Sequence, residues 1–180
     1  MKQRVITALL FGIVFIGAIL LMNTIVFPVF VAALSAIAVY EIEKAVGLSN
    51  KLIYAATLVL SVAIPFVVHF SISLPIAPVG CLYVVLILIF MLLRFETTKF
   101  EQAITAIFAS VCVPFSFSLM IVFRDIHKYF NNYTKADGVF FLILAFFAAW
   151  MTDIFAYFVG SKFGKHKLCP KISPKKTWSG

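Results

Sequence analysis

The chain is a succession of apolar runs, most about as long as a bilayer is thick, each closed by a short polar or charged stretch. Water does not reach the bilayer interior to hydrogen-bond a peptide group. A run of that length must therefore satisfy its own N–H and C=O groups as an α-helix. This feature alone predicts an all-α fold, a polytopic transmembrane bundle of about six helices in one domain. The predicted spans are 5–22, 25–40, 52–70, 79–93, 103–123 and 138–159. Pro28 falls in the first turn of its span, where a missing N–H costs least, whereas Pro114 falls inside one and needs compensation, from neighbouring helices or from Ser116 and Ser118. With 63% hydrophobic residues the chain lies outside the range of soluble domains, which are about half apolar.

Charges mark where the chain leaves the lipid. Over six spans, twelve Lys and Arg fall on the side of the N-terminus, the 41–51 and 94–101 loops and the tail, against three (Arg124, Lys128, Lys135) on the other. The positive-inside rule then puts both termini in the cytoplasm. The first run follows Met1-Lys2-Gln3-Arg4 and is too long for the core of a cleaved signal, so it is expected to stay as a helix. Glu41 and Glu43 read as solvated residues at a helix end, and His69 and His127 carry no assigned role. Cys81, Cys112 and Cys169 are far apart, which indicates neither a disulfide framework nor a zinc site.

The tail after Val159 breaks the pattern, with six Lys and no acid. Lysines set among hydroxyls (Ser173, Thr177), prolines (Pro170, Pro174) and glycines can converge ammonium and N–H groups on anionic oxygens. A basic run that only fixes orientation and touches anionic lipid has the same composition. Just before it stands Asp153, the only carboxylate read as lying well inside an apolar span, about 10 Å of helix before Gly160. A side chain that short cannot reach the interface, so Asp153 is expected to face a bundle interior or a wet cavity. Ala149, Ala156, Tyr157, Gly160 and Gly164 share its helix face, and an Asp153 merely hydrogen-bonded across helices is the structural alternative.

The order of the residues says more than the composition. Asp153-x-x-Ala156-Tyr157-x-x-Gly160-x-x-Phe163-Gly164-Lys165-His166-Lys167-Leu168-x-Pro170, followed by Ser173-Pro174-Lys175-Lys176-Thr177-Trp178-Ser179-Gly180, resembles the middle of the bacterial phosphatidate cytidylyltransferases. The resemblance is close over about the last thirty residues and architectural elsewhere. It implies a transferase that makes CDP-diacylglycerol and pyrophosphate from CTP and phosphatidate. It further implies a multi-pass protein of the bacterial inner membrane, contacts with membrane lipid, no nucleic-acid partner and room for a homodimer. By that resemblance Lys175 and Lys176 contact phosphate oxygens, Ser173 and Thr177 donate hydroxyls, Pro174 sets a turn, Tyr157 binds substrate, and Asp153 lines the polar cleft, through magnesium or behind its ligands. The family's main magnesium-binding acids belong to a C-terminal signature that does not occur in residues 1–180, so these residues alone are expected to insert but not to catalyse. Other readings are a different CTP- or polyprenyl-dependent lipid enzyme, a non-catalytic fragment, and a transporter, which would show inverted repeats and several mid-membrane polar groups.

Overall fold

The computed structural model describes residues 12, 14, 16–164, 166–169 and 173–179. In chain order its elements are α1 (Val26–Ala45), α2 (Lys51–His69), α3 (Ile76–Leu93), α4 (Phe100–Arg124), α5 (Ile126–Tyr129), α6 (Lys135–Phe163), β1 (Lys167–Cys169) and β2 (Ser173–Thr177). Among the described residues five helices, α1 to α4 and α6, are long and apolar enough to cross a membrane. The chain is thus an all-α, multi-pass membrane protein with a small hairpin. Most of the first predicted span, 5–22, lies outside the described residues, although residues 16–20 are helical. The chain falls into two compact units, Met1–Arg124 and Asp125–Gly180.

In the first unit α1, α2 and α4 pack on one another, with α3 more lightly against α2 and α4. The contact surfaces include many small residues beside larger ones such as Phe27, Ile53 and Ile121. Ala32 and Ser35 on α1, Thr57 and Ser61 on α2, and Ala103, Ala106, Ala109 and Ser110 on α4 are all buried. Lipid tails are as apolar as leucine, so membrane helices associate through close backbone approach, which small side chains permit. The buried hydroxyls turn back onto their own helices, Ser35 Oγ to the Val31 carbonyl at 2.8 Å and Ser61 Oγ to that of Leu58 at 2.8 Å. Helix α4 runs unbroken through Pro114. The serines expected to compensate this proline donate to other carbonyls, Ser116 to Cys112 and Ser118 to Pro114, rather than to Ser110, whose bond the missing N–H removes.

Helix α1 runs five residues past its predicted end at Tyr40, and its stop is glycine-driven. Gly47 takes φ +69°, the Leu48 N–H reaches back to the Glu43 carbonyl and the Gly47 N–H to that of Lys44, a Schellman closure with Leu48 buried behind it. The extension overturns the reading of Glu43 as a solvated residue. Val31, Ser35, Val39 and Glu43 form one i, i+4 stripe, each 0% exposed, and neither Glu43 carboxylate oxygen has a hydrogen-bond partner among the described residues. Thr57 stands beside Glu43, but its hydroxyl donates to the carbonyls of Ile53 and Tyr54. Glu41 is exposed, as expected.

At the far end of α4, Arg124 is buried and ties three segments together. It donates to the Met22 carbonyl at 2.9 Å, meets His69 Nδ1 at 3.0 Å, and lies 5.4 Å from the Phe27 ring centre. His69, given no role from sequence, thus has a structural one. Arg124→Leu leaves the Met22 carbonyl and the imidazole short of a donor, and is expected to cost about 1–3 kcal/mol. Thermal unfolding in detergent measures this, and an unchanged midpoint would mean that the three contacts are worth nothing net.

The second unit begins with an ion pair, Lys128 Nζ to Asp125 Oδ2 at 2.8 Å, on and beside the short α5. Helix α6 starts at a capping box: the Thr134 hydroxyl accepts from the Asp137 N–H, and the Asp137 carboxylate from the Thr134 N–H at 2.7 Å. Its 29 residues extend about 43 Å, longer than the hydrocarbon core is thick, so its last turns can stand in the interface.

Candidate functional site

Helix α6 and the hairpin after it bring together the two sequence blocks singled out above. Strands β1 and β2 pair antiparallel, with Lys167 opposite Thr177 and Cys169 opposite Ser173. The Trp178 N–H donates to the His166 carbonyl at 2.9 Å and continues the ladder. The hairpin is fastened to the helix through Thr177, whose hydroxyl donates to the Gly160 carbonyl at 3.4 Å, a long bond. Gly164, the residue that ends α6, makes the approach feasible. A Cβ built there would stand 2.6 Å from both Oγ1 and Cγ2 of Thr177 and would collide with the Gly160 carbonyl oxygen. So Gly160 and Gly164 of the first block and Thr177 of the second form one contact.

The predicted site residues separate into those that this fold gathers and those it does not. Ser173 and Thr177 are half-buried on β2, and Lys176 is exposed on the same strand. Lys175 and Pro174 are also on β2, so Pro174 sits within a strand rather than setting a turn, a place a two-stranded ribbon tolerates because its edges lack partners. The strands themselves were not foreseen: three- and five-residue strands rich in lysine carry almost no period-2 signal. Tyr157 is exposed on α6, its ring edge-on to Phe158. Asp153 is exposed one turn earlier, with no hydrogen-bond partner among the described residues.

Electrostatically the hairpin follows the C-terminal end of α6, where unpaired carbonyls carry partial negative charge. Lys162 lies in the last turn, and the exposed Lys167 and Lys176 lie on the strands. Some of this positive charge offsets the helix dipole. A segment with hydroxyls and lysines on one strand suits phosphate oxygens. Magnesium fits these residues less well. No group of three or more His, Cys, Asp or Glu that could hold a metal converges among the described residues, and Asp153 offers a single carboxylate.

The sequence pattern of the cytidylyltransferase family matches residues 2–180. The chain belongs to the cytidylyltransferase family. A phosphatidate cytidylyltransferase of Bacillus subtilis (strain 168) is 28% identical over 185 aligned residues, which cover 100% of this chain and 65% of that protein. One from Aquifex aeolicus (strain VF5) is 48% identical over 46 residues, and one from Staphylococcus haemolyticus (strain JCSC1435) is 49% identical over 47, each 26% of this chain and 18% of the relative. The chain thus spans less than two thirds of the length of these relatives. No solved structure matches it.

Proposed function

We propose that this chain carries the membrane-embedded and phosphate-contacting parts of a phosphatidate cytidylyltransferase that converts CTP and phosphatidate to CDP-diacylglycerol and pyrophosphate. The observation that carries the reading is the joint made by Gly160, Gly164 and Thr177, which seats a lysine- and hydroxyl-bearing strand on the end of a membrane-crossing helix. A reaction between a lipid phosphate and a water-soluble nucleotide needs its cationic groups at that boundary. Membership of the family and the names of the relatives supply the substrates.

In the proposed reaction a phosphatidate oxygen attacks the α-phosphorus of CTP. A new P–O–P bond forms, the α–β P–O bond breaks, and pyrophosphate leaves with the electron pair. Such a transfer is served by in-line positioning and neutralisation of charge rather than by a protein nucleophile. Lys175 and Lys176 hold phosphate oxygens, the Ser173 hydroxyl donates a further hydrogen bond, and Thr177 holds the strand to α6. Tyr157 and Asp153 border the cleft from the helix. Asp153 could furnish at most one magnesium ligand, so no step is routed through the metal.

The same proposal places the protein in the bacterial inner membrane with both termini cytoplasmic, supported by the twelve-to-three asymmetry of Lys and Arg. Single cysteines at Lys51, Asn131 and Gly180, probed with a membrane-impermeant thiol reagent in a background lacking the native cysteines, are expected to react from the cytoplasm, the periplasm and the cytoplasm respectively. A periplasmic Gly180 would remove both the topology and access to CTP. Transfer of label from radiolabelled CTP into chloroform-soluble lipid, dependent on added phosphatidate, tests the reaction itself.

A further inference from the structure

The first unit holds a second cationic site, on residues unrelated to the hairpin. A cavity of about 330 Å³ opens between the α1–α2 loop and the α3–α4 loop, lined by Ser49, Asn50, Lys51, Leu52, Arg94 and Thr97. Its walls are stapled. Buried Asn50 donates from Nδ2 to the Phe90 carbonyl at 2.8 Å and to Thr98 Oγ1 at 3.1 Å, while its Oδ1 caps α2. Ser49 Oγ donates to the Thr97 carbonyl, and Gln102 Nε2 to the carbonyls of Val46 and Gly47. These bonds hold two loops in fixed register, so the cavity exists before any ligand arrives.

The lining is charged in one sense only. Lys51 and Arg94 come from different loops, both are exposed, and neither pairs with an acid among the described residues. Glu96 shares the Arg94 turn but does not line the cavity. The Thr97 and Ser49 hydroxyl protons are spent on backbone carbonyls, which leaves the ammonium and guanidinium as the donors facing the space. Two cations held by separate loops suit the oxygens of one phosphate group.

The surroundings select the source of that phosphate. Lys51 begins α2 and Arg94 directly follows α3, two helices of membrane-crossing length, so the cavity sits at their shared end, at the level of the headgroups. Leu52, Leu92, Leu93 and Phe95 around it are exposed, at 42%, 64%, 66% and 70%, and would meet acyl chains rather than water. We propose that the Lys51–Arg94 cavity is a binding site for the headgroup phosphate of an anionic phospholipid, built from residues other than those of the lysine hairpin and not dependent on catalysis.

The test is equilibrium binding of fluorescent phosphatidylglycerol to the purified chain in phosphatidylcholine nanodiscs. Phosphatidylglycerol is chosen because it is not the proposed substrate, so the result stands apart from the cytidylyltransferase reading. Lys51→Gln with Arg94→Gln is expected to weaken binding about tenfold or more, whereas Lys44→Gln with Lys99→Gln, which removes the same charge outside the cavity, should leave it within about twofold. Lys51→Arg with Arg94→Lys keeps both cations and should bind like the parent, which guards against a folding artefact. Equal weakening by the two neutralising pairs would reduce the site to diffuse charge and overturn it. Displacement of the lipid by millimolar inorganic phosphate would overturn the lipid assignment in favour of a soluble anion.

Discussion

Replacing Lys175 or Lys176 with Gln, in an enzyme that contains this segment, is expected to lower CTP-dependent turnover by about tenfold or more, a loss of about 1.4 kcal/mol of transition-state stabilisation. A neutral amide keeps the stem and some hydrogen bonding but cannot balance charge on phosphate oxygens as the leaving group departs. Lys176 is exposed on β2, so its loss disturbs no packing, and protein level and membrane insertion should be unchanged. The comparison is sharpened by Lys162→Gln, which removes a cation from the last turn of α6 rather than from the strand. If the lysines merely complement the helix dipole and mark the cytoplasmic side, all three variants should retain parental turnover. A loss confined to Lys175 and Lys176 places the chemistry on the strand.

Among the described residues, helices were legible where a long apolar run meets a polar boundary, because the cost of an unsatisfied peptide group in lipid leaves a single solution. Their ends were less so. Tyr40 looked like the end of α1 because Glu41, Glu43 and Lys44 are charged, yet these are good helix formers, and the stop signal was Gly47. The error mattered, since a helix carried past Tyr40 turns Glu43 onto the buried stripe of Val31, Ser35 and Val39. In the tail the residue types and their order were readable and pointed to the family. The hairpin was not, because its strands pair with Trp178 reaching His166 and it is fastened to α6 by Thr177 reaching Gly160, contacts that no local period announces. The Lys51–Arg94 cavity was equally hidden: the two cations are 43 positions apart, and the bonds of Asn50, Ser49 and Gln102 help bring their loops together.

Gly164→Ala is expected to lower turnover by at least as much as loss of a lysine, about tenfold or more, without touching any group that contacts substrate. The residue's φ of −73° is open to alanine, so backbone preference does not explain the glycine. Space does. A methyl group there meets the two branches of the Thr177 side chain and the Gly160 carbonyl oxygen. Threonine could rotate, but the carbonyl belongs to the last turns of α6 and moves only if that end of the helix opens. Either the turn unwinds or the hairpin swings off the helix, and in both cases Ser173, Lys175 and Lys176 lose their place relative to Asp153 and Tyr157. Thr177→Ser, which removes one branch and keeps the hydroxyl, should preserve most turnover alone. Combined with Gly164→Ala it should rescue little, because the carbonyl collision remains. Parental turnover in Gly164→Ala would mean that the seating of the hairpin on α6 is not what positions the phosphate-contacting strand.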